Sequence, residues 1–145
     1  MKVSTRVEYG LIALADIAIY SEEGAVVPAS DISERQSISQ KYLEQILVSL
    51  KHAGLIKAHK GSGGGYTLTR SADKITMSEV LNTLDDSILA DSFQRDSDSS
   101  IRDQVNLCFW NHVDANLREF AETVTLADFI AGCKNKENVW DMYVI

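Results

Sequence analysis

The chain has 145 residues and a mass of 16.0 kDa, which is enough to bury a hydrophobic core without disulfides or structural metals. Hydrophobic residues make up 45% of the chain and charged residues 24%, and the mean hydropathy is -0.10, values typical of globular proteins. Two cysteines exclude a disulfide framework and a four-cysteine zinc site within one chain. The sequence has no apolar run near the roughly 18 residues of a membrane span and does not begin like a signal peptide, so we expect a cytoplasmic protein.

The net charge of -7 argues against a nucleic-acid partner only if the charge is evenly spread. Residues 1–75 contain nine Lys or Arg and eight Asp or Glu, whereas residues 76–145 contain five and thirteen. Residues 39–74 alone carry six basic and two acidic side chains, a net charge of +4. The acidity therefore belongs to the second half, and the first half contains a basic stretch.

The beginning of the chain is predicted to be helical. Thr5 and Glu8 have the spacing of a capping box, which predicts a first helix that ends near Ser21. Ser30 is expected to cap a short second helix, and residues 37–39 are expected to form a turn.

A third helix and a hairpin complete the first half. The helix, residues 39–53, is predicted from an N-cap at Ser39 and from apolar residues at helical spacing: Tyr42, Leu43, Ile46, Leu47 and Leu50. Residues 55–60 and 65–70 have the pattern of two strands around a glycine-rich tip, Gly61-Ser62-Gly63-Gly64. This order is that of a winged helix-turn-helix domain, which we assign to residues 1–75.

The second half, residues 76–145, is predicted to be a helical region for dimerisation or effector binding. Capping boxes that begin at Thr76 and Thr125 predict the starts of two helices, the second of them short. The polar stretch 91–100 has the composition of a loop, and a mixed polar tail is expected from Gly132 onward. The predicted fold class is therefore mainly α within α+β, with a two-stranded wing and a long C-terminal helix.

That long helix is predicted from about residue 101 and carries a broad apolar stripe. The residues of the stripe recur at steps of three or four: Ile101, Val105, Phe109, Val113, Leu117 and Phe120. Such a face, on a helix attached to a domain with its own core, requires a partner. The simplest partner is the same helix of a second copy, which predicts a two-fold homodimer. The alternative is that the helix packs back onto its own domain.

Several long motifs occur in a fixed order in the first half: Tyr42-Leu43-Glu44-Gln45, then Leu50-Lys51-His52-Ala53-Gly54-Leu55-Ile56, then Gly63-Gly64-Gly65-Tyr66. With these motifs the chain resembles the Rrf-type family of bacterial winged-helix transcription regulators, and the likeness runs from Met1 to about Ile130. The resemblance implies a DNA-binding transcriptional regulator. We expect a homodimeric repressor that reads a pseudo-palindromic operator in double-stranded DNA, with half-sites one or two helical turns apart.

In a winged helix the N-terminal residues of the recognition helix face base edges in the major groove, where Gln can bridge an adenine, Glu can accept from cytosine and Lys can reach guanine. The start of the first helix and the wing are expected to contact the DNA backbone or minor groove. The predicted DNA-binding residues are Lys2, Ser4, Arg6, Ser39, Gln40, Lys41, Glu44, Gln45, Lys60, Gly63 and Gly64. Two alternatives remain open: Glu44 as a solvated surface acid, and the glycines as the requirement of a tight hairpin.

A cofactor is not expected from this sequence. Relatives that bind iron-sulfur clusters carry three closely spaced cysteines, and residues 91–106 contain none. Cys108 and His112 lie four residues apart on one helical turn, so a dimer would double them into four potential metal ligands. The alternative is a small buried thiol beside a partly exposed histidine, and we therefore expect neither a metal nor an iron-sulfur cluster.

A second class of function is a protein-interaction regulator. A cysteine-metabolism repressor of the family works with cysteine synthase, and a partner enzyme of that synthase inserts a C-terminal isoleucine into its active site. Ile145 ends this chain and presents an apolar group beside a carboxylate, which makes capture of the tail by cysteine synthase an alternative. No ordered nucleophile and base, metal motif or phosphate loop is present, so an enzyme is not expected.

Overall fold

The structure, a computed structural model, describes residues 2–93 and 99–143. The elements in chain order are α1 (Thr5–Tyr20), α2 (Ala29–Gln36), α3 (Gln40–His52), β1 (Ile56–His59), β2 (Gly65–Leu68), α4 (Met77–Leu84), α5 (Ser100–Val105), α6 (Asn111–Thr123) and α7 (Leu126–Tyr143). A π-helical segment, Asn106–Trp110, joins α5 to α6, and two short 3-10 turns lie at Glu22–Gly24 and Ala72–Lys74. The predicted fold class, mainly helical with a two-stranded wing, is confirmed.

Hydroxyl side chains begin α1, α3 and α4. The hydroxyls of Ser4, Ser39 and Thr76 each accept a hydrogen bond from the backbone N–H three residues on, at 3.3, 3.4 and 3.3 Å. The predicted caps at Ser39 and Thr76 are confirmed. The prediction for the first helix is wrong by one residue, because Thr5 is already helical and Ser4 has the extended backbone that an N-cap needs.

The helix-turn-helix consists of α2 and α3. The prediction that Ser30 caps α2 is wrong, because the helix begins directly after Pro28, whose backbone (φ -67°, ψ 146°) is already extended. Between the helices Ser37 adopts a left-handed conformation with φ 54°, and Ile38 is buried in the core. The predicted turn is confirmed, and the burial of Ile38 anchors it.

A buried carboxylate fixes α2 against α1. Asp16 accepts two hydrogen bonds from the Arg35 guanidinium, at 3.0 and 2.8 Å, and a third from the Gln36 amide at 2.8 Å. The guanidinium also stacks on the Tyr20 ring at 3.8 Å from its centroid. Donation of these hydrogen bonds to the Asp16 carboxylate raises the pKa of Arg35 above its ordinary value. This cluster holds the first helix of the helix-turn-helix in a defined position.

The wing is an antiparallel pair in which Ile56 lies opposite Leu68. Its second strand also forms a bridge with the segment before α2, where the backbone groups of Val27 and Tyr66 exchange hydrogen bonds at 3.0 and 2.8 Å. The wing is therefore attached to the helix-turn-helix through backbone bonds as well as through side chains.

The hydrophobic core crosses the predicted boundary at residue 75. Helix α4 packs against α1 and α3, and α6 packs against α4. Buried residues of the second half, among them Leu84, Ala121 and Leu126, belong to the same cluster as the buried faces of α1 and α3. A backbone bond of 2.9 Å, donated by the Leu126 N–H to the Ile75 carbonyl oxygen, connects the two halves directly.

The end of the chain differs from the prediction. Thr125 begins the last helix as expected, and its N–H donates to the Asp128 carboxylate at 2.8 Å. The expected polar tail from Gly132 is wrong, because α7 continues to Tyr143. The polar composition of this stretch conceals a helix, and residues 132–136 at its middle are exposed. No helix in the described ranges is long and apolar enough to cross a bilayer.

Candidate nucleic-acid interface

One face of α3 is buried and the opposite face is open to solvent. Leu43, Ile46, Leu47 and Leu50 form the buried face, which packs into the core. The predicted base-contacting residues all lie on the open face: Ser39, Gln40, Lys41, Glu44 and Gln45. The structure therefore brings these five side chains together on one surface.

Three of these side chains are already ordered by local contacts. The Ser39 hydroxyl caps α3, and the Gln40 amide donates to the Glu44 carboxylate at 3.3 Å. The second contact is an exposed pair four residues apart on the helix, a spacing that brings side chains together without a strong bond. All three residues are exposed and remain accessible to a ligand.

The open face of α3 includes a residue that sequence reasoning missed. Val48 has 51% of its surface exposed and follows Glu44 by four residues and Gln45 by three. Residues three and four positions apart lie on the same face of a helix, so the sequence alone could have placed Val48 beside Glu44 and Gln45.

The start of α1 contributes two exposed residues and one that the fold uses itself. Lys2 and Ser4 are exposed, as a phosphate contact requires. Arg6 is half-buried, and its guanidinium donates to the backbone oxygen of Leu84 at 3.2 Å and to the hydroxyl of Ser49. We therefore revise the expectation for Arg6, because its donors face α3 and α4 within the chain.

The wing tip presents Lys60 and four glycines, all exposed except Gly64 and Gly65, which are half-buried. Gly61 and Gly63 have positive φ, at 106° and 83°. A Cβ at Gly64 would overlap the carbonyl oxygen of His59, and one at Gly65 would overlap the backbone of Val27. The hairpin geometry therefore accounts for all four glycines, and their number alone does not indicate DNA contact.

The basic stretch 39–74 keeps most of its charge on the surface. Its exposed lysines are Lys41, Lys51, Lys57, Lys60 and Lys74. Arg70 instead pairs with Glu79, at the start of α4. The positive charge available to phosphate therefore comes from lysine side chains on α3 and the wing.

The apolar stripe lies along the long helix, residues 100–123, formed by α5, the π-helical segment and α6. Five of its predicted members are between 40% and 75% exposed: Ile101, Val105, Phe109, Val113 and Phe120. A step of four residues drifts around an α-helix of 3.6 residues per turn, and the wider π turn offsets that drift. The π segment thereby helps to hold the stripe on one side.

Leu117 departs from the predicted stripe. It is half-buried and packs against the core of its own chain, so the helix does cover part of its own domain, as the alternative held. Aromatic residues widen the exposed part instead. Trp110 contacts Phe109 and Phe93 with ring centroids 4.9 and 5.6 Å apart. Phe93 and the exposed Leu107 were not singled out from the sequence.

The candidate metal ligands do not form a site. Cys108 and His112 are both exposed, and the Cys108 thiol contacts the Gln104 side-chain oxygen at 3.6 Å. The expected alternative of a buried thiol is also wrong, because Cys108 lies on the solvent-exposed surface of the long helix. Within residues 2–93 and 99–143 no three His, Cys, Asp or Glu side chains are grouped to hold a metal ion. This donor set does not fit iron.

The second helix of the helix-turn-helix has an open polar face, and the wing beside it has a basic tip. These two features define a winged helix-turn-helix DNA-binding protein. Residues 3–132 match the family described as Rrf2, iron-dependent transcriptional regulator, and the chain belongs to that family. The resemblance proposed from the sequence is thereby confirmed.

The relatives and structural neighbours agree with this assignment. The chain is 34% identical to the HTH-type transcriptional regulator IscR of Xenorhabdus nematophila over 138 residues, which are 94% of this chain and 82% of that one. The solved structure of CymR, the global cysteine regulator of B. subtilis, matches with a TM-score of 0.78 at 26% identity, over 90% of this chain and 97% of that one. The T. potens IscR structure matches with a TM-score of 0.74 at 33% identity, over 92% and 88%. These relatives are regulators, in agreement with the expectation that this protein is not an enzyme.

Proposed function

We propose that the protein is a cytoplasmic homodimeric repressor that reads a pseudo-palindromic operator through α3. The observation that carries this proposal is the open face of α3, where Gln40, Lys41, Glu44 and Gln45 stand together above a fully buried apolar face. These side chains match the donors and acceptors of base edges in the major groove. Buried anchors on the opposite face keep the row rigid, which a sequence reader requires.

The remaining predicted contacts are assigned to the DNA backbone. Lys2, Ser4 and Lys60 are exposed at α1 and the wing, so they are available to phosphates on either side of the groove. Gly63 and Gly64 keep the wing tip slim and permit close approach to the backbone or minor groove. We assign Arg6 to positioning α3, not to phosphate.

The homodimer is proposed from the apolar stripe of the long helix. Exposed Phe109, Trp110 and Val113 form a contiguous apolar surface that is costly to leave in water. Two-fold pairing of this helix with the same helix of a second copy would bury the apolar surface of both. It would also place two recognition helices on one face of DNA. We propose residues 1–75 as the DNA-binding part and residues 76–145 as the dimerisation part, joined through one core.

The decisive experiment is selection of bound fragments from genomic DNA with the purified protein. We expect a pseudo-palindromic motif to be enriched, and we expect a variant with Gln40, Glu44 and Gln45 all changed to Ala to lose it. A variant with Ser71 and Asp73 changed to Ala, two exposed residues of the same domain that are assigned no contact with DNA, controls for surface substitution. Absence of any enriched motif at low salt would contradict the proposal, and reporter expression that rises with the protein would contradict repression.

We further propose that the protein works without an iron-sulfur cluster. Residues 91–106 lack cysteine, and the exposed pair Cys108 and His112 offers too few ligands. Anaerobically purified protein should therefore be colourless and contain no iron, whereas a visible absorption band would contradict this. The cysteine synthase alternative stays a prediction, because Ile145 lies outside the described residues.

A further inference from the structure

Val48 is an exposed aliphatic residue on the open face of α3. It is 51% exposed on a helix whose other aliphatic residues, Leu43, Ile46, Leu47 and Leu50, are all buried. A β-branched residue is also a poorer choice than Ala or Lys for an exposed helical position. Neither packing within the chain nor helix stability therefore explains an apolar side chain there.

The position of Val48 distinguishes it from other exposed apolar residues. Successive residues of a helix that are three or four apart lie one above the other, so Lys41, Gln45 and Val48 form a row. At about 1.5 Å of rise per residue, Val48 lies about 6 Å beyond Glu44 along the helix axis. A helix inserted by its N-terminal end therefore brings Val48 to the groove about one turn after the polar readers.

The chemistry of valine restricts what it can recognise in the major groove. Its side chain has no donor or acceptor, so it offers nothing to a purine edge, to the cytosine amine or to a phosphate. The thymine 5-methyl group is the apolar feature of the major-groove edge. Contact between the two removes apolar surface from water on both sides.

We propose that Val48 is a specificity residue that reads the 5-methyl group of one thymine in each half-site. This inference rests on the proposed function, because it requires α3 to enter the major groove. It adds an apolar element to a row that otherwise reads hydrogen-bonding groups. It also predicts discrimination between thymine and uracil, which no hydrogen-bonding residue on the row provides.

The test uses the full-length protein and the operator recovered by selection. Each thymine of one half-site is replaced in turn by deoxyuridine, which removes the 5-methyl group alone, and the affinity is measured by fluorescence anisotropy. Loss of one buried methyl, at ~0.8 kcal/mol, corresponds to about fourfold weaker binding. We expect this loss at one thymine per half-site, and no loss at the same position with Val48→Ala.

Matched variants keep the result interpretable. Val3→Ala removes the same groups from a valine that is 48% exposed outside α3, and it should retain the penalty for uracil. Val48→Thr keeps the shape of the side chain and one methyl, and it should retain part of the penalty. Circular dichroism confirms that each variant is folded.

The outcomes separate this inference from the proposed function. If selection recovers no operator, the proposed function fails and this inference fails with it. If an operator is recovered but the protein is indifferent to uracil at every thymine, the inference alone is overturned. It is also overturned if Val48→Ala keeps the full penalty, because another residue would then contact the methyl group.

Discussion

Arg6 illustrates how a basic side chain near a proposed interface can serve the fold. Its guanidinium links the start of α1 to the end of α4, through Leu84, and to α3, through Ser49. Ser49 lies next to Val48 on α3, so the contact fixes the helix that we propose reads DNA. The sequence places Arg6 near the proposed interface, but it does not reveal that residues 43 and 78 positions away satisfy its donors.

The Arg6→Ala variant should therefore lose stability. Removal of two hydrogen bonds from a charged donor is expected to lower the free energy of unfolding by about 2 kcal/mol, measured by urea denaturation. Affinity for the operator should fall while its salt dependence stays unchanged, because no phosphate contact is lost.

Lys60→Ala is the matched comparison for Arg6→Ala, because Lys60 is exposed at the wing tip and is assigned to the DNA backbone. It should leave unfolding unchanged and lower the slope of log K against log salt by about 1, as expected for one phosphate neighbour. A reduced salt slope in Arg6→Ala with unchanged stability would show that Arg6 contacts phosphate after all.

At the scale of elements, the segment between α4 and the long helix is tied to α6 by a buried carboxylate. Asp114 accepts hydrogen bonds from the Ser92 N–H at 2.8 Å and from the Ser92 hydroxyl at 2.5 Å. These bonds lower the pKa of Asp114, because they favour the charged form. Arg118 strengthens the connection by donating to Asp91 at 2.8 Å.

The lowered pKa of Asp114 predicts a dependence of stability on pH. The stabilisation is complete above the pKa of an unfolded Asp, about 3.9, and it is lost as the pH falls through the lower pKa of the folded state. Asp114→Asn should cost about 1.5 kcal/mol at pH 7 and progressively less below about pH 4, by urea denaturation. Asp86→Asn controls for the loss of one negative charge in the same segment. An Asp114→Asn cost that is equal at pH 7 and pH 3 would contradict this role.

The elements themselves were predictable where local chemistry decides them. The caps at Ser39 and Thr76, the three-residue turn and the hairpin tip follow from residues within four positions of one another. The length of α7 did not follow, because its polar composition lacks the apolar periodicity on which the prediction relies. The division of the long helix between an outer stripe and an inner face, which includes Leu117, depends on contacts with α4 that the sequence does not reveal.

At the scale of the whole molecule, the charge is divided between the two halves of the chain, whereas the hydrophobic core is shared by them. The acidic second half and the nearly neutral first half share one hydrophobic core and an ion pair between Arg70 and Glu79. The acidic surface should repel DNA from all faces except α3 and the wing, which restrains non-specific binding. Because the two halves share one core, a structural change at the stripe of the long helix can be transmitted to α3 through α4, which packs against both helices.

The homodimer proposal predicts the effect of a charge in the stripe. Phe109→Glu places a carboxylate at the centre of the apolar surface, where burial of an unpaired charge costs several kcal/mol, so dimers should dissociate at micromolar concentration. Sedimentation velocity should give about 32 kDa for the unmodified protein and 16.0 kDa for the variant. Ala115→Glu adds the same charge at an exposed position outside the stripe and should leave the dimer intact.

The Phe109→Glu monomer should keep its circular dichroism spectrum, because Phe109 is exposed within one chain. It should also bind a full operator no more tightly than a half-site. A monomeric unmodified protein, or a Phe109→Glu dimer, would contradict the assignment of this face.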